Sequence, residues 1–217
     1  MSFTDHIIAF LQNGGPFIYP IALVLVVGLA ITIERWLYLS SAHRTNQQAF
    51  ALIKNALKTG DINTISQHAQ NHKAPVFDVL QSGIARISSA SRREDVEYAM
   101  EETVMEYTLR LEKRTPFIAT LANIATLLGL LGTIMGLIAA FSAVASADPA
   151  EKANLLSSSI SVAMNTTAFG LITAIPLILF HSSLQTKTAT IVDSIEMAGI
   201  KLLNSLSFNK QTDNNRG

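Results

Sequence analysis

Three stretches of this chain, Ile7 to Ile33, Thr115 to Ala147 and Ala153 to Phe180, contain no Asp, Glu, Lys or Arg. A helix needs roughly 20 residues to cross about 30 Å of hydrocarbon, so each window is long enough to span a bilayer. The absence of cysteine removes disulfides, thiol chemistry and Cys-ligated metal from consideration. The balanced formal charge favours no partner class, and nothing in it points to nucleic acid. The expected fold is therefore all-α: an integral membrane protein with three transmembrane helices, at 16–36, 115–147 and 157–182.

The first window does not read as a cleavable leader. "MSFTDHII" lacks Lys and Arg, and no small-x-small site separates "GLAITI" from Glu34 and Arg35, so this span is expected to stay as an anchor. Segment 34–114 carries eleven Lys and Arg residues and the tail 181–217 carries four, whereas the loop 148–152 has only Lys152. Positive residues stay on the cytoplasmic side, which predicts an N-out, C-in topology. That places 1–15 and the loop 148–156 outside, a helical domain 37–114 in the cytoplasm, and a helix with a disordered tail over 183–217 in the same compartment.

Within 37–114, "NQQAFALIKNALKTGD" sets Phe50, Ile53 and Leu57 at helical spacing, stops at Gly60 and offers Asp61 as the next cap. "APVFDVLQSGIARIS" gives another amphipathic segment, and Ser91-Arg92-Arg93-Glu94 has the spacing of a capping box. From Asp95 to Ala147 only Pro116 demands a kink, which predicts a near-continuous helix of about 55 residues, roughly 80 Å long, projecting into the cytoplasm. Its acidic run, Glu94 to Glu106, reads as a solvated face.

Soluble catalytic patterns are absent: there is no phosphate loop, no HExxH and no GxSxG, so an enzyme is not expected. His68 and His72 are four apart, but in a polar, loop-like stretch they read as solvated side chains and not as metal ligands. The spans carry the pattern instead. At 100° per residue, Thr126, Gly129, Thr133, Gly136 and Ala140 fall within about 80° of one another. On the third span Ile160, Ala163, Thr167, Gly170, Ala174 and His181 share one face, and Ser159, Thr166 and Thr173 an adjacent one. Faces of Gly, Ala and Thr let membrane helices approach closely, so packing alone accounts for them. Pro176 breaks one ladder bond, for which Thr173 or a neighbouring helix offers compensation.

Depth separates packing from a path. Thr133 lies fourteen residues before Ala147 and Thr167 fourteen after Ala153, so both sit about 21 Å of helix rise from the outer loop. A lone Thr in a span usually bonds its own i−4 carbonyl; two at matched depth, with Asn165 and Thr166 beside them, make a polar lining. No span core contains Asp, Glu, Lys or Arg, so any mid-membrane proton carrier must come from another chain.

"LLGLLGTIMGLIAAF" (Leu127 to Phe141) followed by "SISVAMNTTAFGLITAIPLILFHS" (Ser159 to Ser182) resembles the MotA/TolQ/ExbB ion-channel family, in its ExbB/TolQ branch. Thr133 falls on the Thr of the LGTVxG motif and Thr167 on that of ALxxTAxGLxxAIP. Gly129, Gly132, Gly136, Ala163, Ala168, Gly170, Leu171, Ala174, Ile175 and Pro176 fit as well. "ERWLYL" matches more weakly, and the resemblance is strong over about 115–205. It implies a homopentamer in a bacterial inner membrane, surrounding a single-span ExbD/TolR-like partner whose membrane Asp supplies the missing carboxylate. The translocated ion would be H+, with Na+ as the alternative given the oxygens of Asn165, Thr166 and Thr167, and no bound cofactor is expected. Force would pass through a TonB- or TolA-like protein. The branch often carries Glu where this chain has Val162, so a resident acid in the channel is missing. A structural membrane scaffold remains the competing class, and a small-solute transporter is disfavoured by the absence of an inverted repeat.

Overall fold

A computed structural model of the chain describes residues 15–87 and 92–214. Six helices follow in order: α1 Ile18–Thr59, α2 Ile62–Asn71, α3 Pro75–Ile87, α4 Arg93–Glu112, α5 Thr115–Ser146 and α6 Lys152–Asn214. Three helical stretches, Ile18–Thr59, Arg93–Ser146 and Lys152–Leu206, are long and apolar enough to cross a membrane. The chain forms two compact units, one from Met1–Glu34 with Arg114–Ser182, the other from Arg35–Lys113 with Ser183–Gly217.

The first unit contains the start of α1, all of α5 and the first half of α6. Its α5/α6 seam is built from small residues: Ala122, Ala125, Gly129 and Gly132 on α5 meet Ala163, Thr166, Gly170 and Ala174 on α6, all buried, with Ile21, Ile118 and Leu177 fully buried beside them. On α1, Gly28 lies against Leu177, where an added Cβ would stand 2.8 Å from a leucine δ-carbon. Large apolar side chains such as Leu23, Phe117, Leu127, Phe141 and Leu179 point outward, each more than 60% exposed. A close-packed small-residue seam with an apolar outer surface is the arrangement a lipid solvent favours. Arg114, which opens α5, is paired with Glu34 at 2.8 Å.

The second unit is conventional. Phe77, Leu39, Ile53, Leu57, Ile65 and Leu80 are fully buried, as large apolar side chains are when water drives collapse. Asn46 ties three helices together: its amide donates to Ser194 Oγ of α6 at 2.6 Å, and its Oδ1 accepts the Val76 N–H of α3 at 3.1 Å. Burying an amide is tolerable only with such partners. Tyr107 of α4 donates to the Asp78 carboxylate. Burial and the Asp78 charge and hydrogen bond push its phenol up to about 12.

Local chemistry explains most boundaries. α1 stops at Gly60, which takes φ of +70°. Asp61 then caps α2, accepting the Thr64 N–H at 3.2 Å and the Thr64 hydroxyl at 2.6 Å, so its carboxyl lies below the usual range. The acidic run of α4 lies outward, with Glu94, Glu101, Glu102 and Glu106 exposed and Val96 and Met100 buried.

Four expectations need correction. The helix expected from Asp95 to Ala147 is interrupted at Lys113–Arg114, where Arg114 adopts a left-handed φ of 66°. Pro116 sits in the first turn of α5, where its missing N–H costs nothing, so the break precedes it. The buried Arg35 side chain donates to the Arg110 and Leu111 carbonyls, satisfying the end of α4 that the break exposes. The cap of α4 is one residue later than expected: Asp95 accepts the Arg92 N–H at 3.0 Å, while Ser91 lies outside the described residues. His68 is helical within α2, and His72 ends that helix. The helix that holds the third expected span starts at Lys152 and runs unbroken to Asn214, so the C-terminal helix expected over 183–217 is its continuation, and most of the tail expected to be disordered is helical. The expected outer segment 1–15 falls outside the described residues apart from Gly15.

Candidate functional site

The site is a close antiparallel pairing of α5 and α6. A Cβ added at Gly170 would stand 2.7 Å from the Ala125 carbonyl oxygen and 3.1 Å from Gly129 Cα. At Gly129 it would stand 3.2 Å from Thr167 Cα, and at Gly136 2.7 Å from Ala163 Cβ. At Gly132 it would collide with the Thr166 side chain. Backbone therefore lies on backbone, and glycine is required because nothing larger fits between the two chains. Gly129 with Gly170, and Gly136 with Ala163, are matched in distance from the turn that joins the helices.

The three threonines are placed differently from one another. Thr167, half-buried on α6, donates its hydroxyl across the interface to the Gly129 carbonyl of α5 at 2.8 Å. In an α-helix that same carbonyl accepts the N–H of Thr133. The two threonines expected to face one another are thus joined through a single peptide oxygen. Thr133 donates its own hydroxyl to the Leu130 carbonyl at 2.6 Å, so no hydroxyl-to-hydroxyl bond links the pair. Thr166 is buried at 2% exposure and donates to the Val162 carbonyl at 3.0 Å. Each hydroxyl has given its one proton to a carbonyl, and each oxygen keeps acceptor capacity. Asn165 is half-buried beside them.

Other expected positions divide. Ala163, Gly170 and Ala174 are buried and Gly136 is half-buried, as the packing face required. Thr126 is not part of that face: it is exposed, and its hydroxyl returns to the Ala122 carbonyl at 3.2 Å. The true stripe passes through Ala122, Ala125, Gly129 and Gly132, rotated from the one expected. Pro176 is exposed, and Thr173 does not compensate the bond it removes, because the fully buried Thr173 hydroxyl makes no hydrogen bond.

A cavity of about 340 Å³ adjoins the pair, lined by Phe17, Gly132, Met135, Ser159, Val162 and Thr166 among others. Among the described residues that line it none is ionisable, and Val162 forms part of its wall. Among the described residues no cluster of His, Asp or Glu could hold a metal ion. Sequence reasoning missed the roles of the Gly129 and Ala125 carbonyls. Backbone acceptors leave no mark in side-chain identity, although counting outward from the 147–151 turn pairs Gly129 with Gly170 and so exposes the first.

Residues 71–197 match the family model described as the MotA/TolQ/ExbB proton channel family. The chain is 26% identical over 199 residues to a biopolymer transport protein ExbB homolog of Methanothermobacter thermautotrophicus, covering 91% of this chain and 69% of the relative. It is 25% identical over 194 residues to the Tol-Pal system protein TolQ of Haemophilus influenzae, covering 79% and 82%. A TolQ of Pseudomonas aeruginosa is 22% identical over 188 residues, covering 79% and 81%.

Proposed function

Since the chain belongs to the MotA/TolQ/ExbB proton channel family, in its ExbB/TolQ-like branch, we propose that it is the ion-channel and stator subunit of an inner-membrane energising complex. In this reading it is N-out and C-in, assembles as a homopentamer and surrounds an ExbD/TolR-like single-span partner that brings a membrane Asp. Proton flow past that Asp drives motion, which a TonB- or TolA-like protein carries across the envelope. The observation that supports it best is the Thr167 hydroxyl bound to the Gly129 carbonyl, between two helices whose cores contain no ionisable residue.

The chemistry suits a carboxyl that changes protonation state. A threonine hydroxyl both donates and accepts. It donates to the ionised partner Asp by rotating away from its carbonyl, and it accepts from the protonated form while keeping that bond. Thr133 and Thr167 serve as stations at one depth, and Thr166 and Asn165 tune them. The close Gly129–Gly170 seam keeps α5 and α6 together as the partner moves against them.

Two further readings have specific support. Three adjacent side-chain oxygens on Asn165, Thr166 and Thr167 are hard ligands that suit Na+. The tight small-residue seam is equally what a non-conducting scaffold would use. Reconstitution into vesicles with the single-span partner separates all three. Proton uptake in sodium-free buffer that is lost when the partner's Asp becomes Asn supports the proposal. Uptake that requires sodium moves the assignment to Na+, and no flux with an assembled complex leaves the scaffold.

A further inference from the structure

The surface of α5 carries a polar line that the seam does not use. Asn123 and Thr126 are both exposed, within a stretch that holds no charged residue. Thr126 and Thr133 are seven residues apart and lie within about 20° of each other around the helix, and Asn123 stands about 60° beyond Thr126. All three flank the buried stripe of Ala122, Ala125 and Gly129 on one side. Met135 and Ala139, which line the cavity with Phe17 of α1, flank it on the other. The polar line therefore faces away from α1. Ile124, next in sequence and about 100° round the helix from Asn123, belongs to an exposed apolar arc with Leu131 and Ile138.

Lipid cannot satisfy what this line presents. The Thr126 hydroxyl donates to the Ala122 carbonyl at 3.2 Å, but the Asn123 carboxamide makes no hydrogen bond among the described residues. An amide bare to hydrocarbon is costly, so a polar side chain within a span turns toward water or a polar partner. Asn123 stands about 12 Å of helix rise inside the start of α5 at Thr115, too deep to reach the headgroups by itself. Thr133 lies about 15 Å beyond it toward the α5/α6 turn. The line thus joins the level of the Thr133–Thr167 pair to the end of the span at which α5 begins.

We infer that Thr126 and Asn123 line a water-filled inner half of the ion route, from the level of Thr133 and Thr167 to the cytoplasm. The inference rests on the proposed function and supplies the half of the path that the seam threonines do not cover. A proton released by the partner's carboxyl passes to water held at Thr126, and the carboxylate stays on the partner. Thr126 accepts a bond from that water while its own proton remains on the Ala122 carbonyl. The proton then leaves along water bonded to the Asn123 carboxamide, which both donates and accepts.

The chain has no cysteine, so each introduced thiol reports one position. The test uses inside-out vesicles holding the full-length chain and its single-span partner. Asn123→Cys and Thr126→Cys should react with a membrane-impermeant quaternary-ammonium methanethiosulfonate about tenfold faster than Ile124→Cys, because only a wetted thiol ionises and meets a charged reagent. Labelling Asn123→Cys should then cut partner-dependent proton flux on the order of tenfold, since a fixed cation in the route repels the proton. Asn123→Leu should lower flux and Asn123→Gln retain it, with assembly intact in both. Equal labelling at positions 123 and 124 overturns the inference, as does full flux through labelled Asn123→Cys or through assembled Asn123→Leu. An Asn123→Leu chain that no longer assembles, beside an unreactive Asn123→Cys, makes Asn123 a contact between helices and overturns it too. Wild-type vesicles without flux remove the proposed function and this route together, whereas wild-type flux with an unreactive Asn123→Cys removes the route alone.

Discussion

The two units solve the same packing problem with opposite materials. In the second, large side chains interdigitate: Phe77, Leu39, Ile53 and Leu80 are fully buried, and the buried Asn46 amide is bonded through both its nitrogen and its oxygen. In the first, α5 and α6 meet through Gly129, Gly132, Gly136 and Gly170, and many big side chains face outward, with Ile21, Ile118 and Leu177 buried beside the seam. Water rewards the burial of apolar area, whereas lipid is as apolar as leucine and rewards only close contact and hydrogen bonds. The solvent therefore dictates which residues a helix turns inward, and it leaves the seam of the first unit free to carry polar groups.

That contrast predicts which substitutions hurt where. Phe77→Ala should have the largest effect, about 3–5 kcal/mol, because a fully buried aromatic leaves a cavity. Limited proteolysis should show new cleavage within 35–113 and 183–214 while 114–182 stays protected; cleavage spreading into 114–182 would mean that the units do not differ as described. Gly170→Ala should cost about 1–3 kcal/mol, since the obstructing atoms are backbone and cannot swing aside. Gly28→Ala meets only the flexible tip of Leu177 and should cost under about 1 kcal/mol. Thermal denaturation in detergent ranks the two, and equal losses would remove close backbone approach as the reason for the glycines.

The smallest effect is a pH dependence confined to the second unit. The Tyr107 phenol is raised from 10.0 to about 12, so the neutral form is favoured in the fold. The stability it contributes is complete below pH 10 and lost as pH rises through about 12. Tyr107→Phe should flatten that alkaline decline, as followed by circular dichroism; an unchanged decline would assign it to another group.

The spans were legible because charge is so costly in lipid that its absence alone marks them, and the small-residue pattern located the seam. The Lys113–Arg114 break was not legible. A left-handed arginine carries no glycine or asparagine signal, and the interaction that supports it comes from Arg35, far away in sequence. A helix beyond 182 was expected, but its continuity with the third span and its extension to Asn214 were not, because polar composition suggested an end where no breaker stands. At the site, matched depth brought Thr133 and Thr167 together on paper, but the link between them is a backbone carbonyl, which no side-chain pattern records.

The central claim is that the α5/α6 seam is a working polar track and not only a packing surface. Thr167 tests it, because Val has nearly the same shape and lacks the hydroxyl, and the Gly129 carbonyl keeps its helical donor when the cross-helix bond goes. The decisive measurement is partner-dependent proton flux in vesicles for the wild type, Thr167→Val and Thr167→Ser, with assembly checked on the same samples. The account predicts intact assembly in all three, flux retained with Ser and abolished with Val. Full flux in an assembled Thr167→Val complex would contradict it.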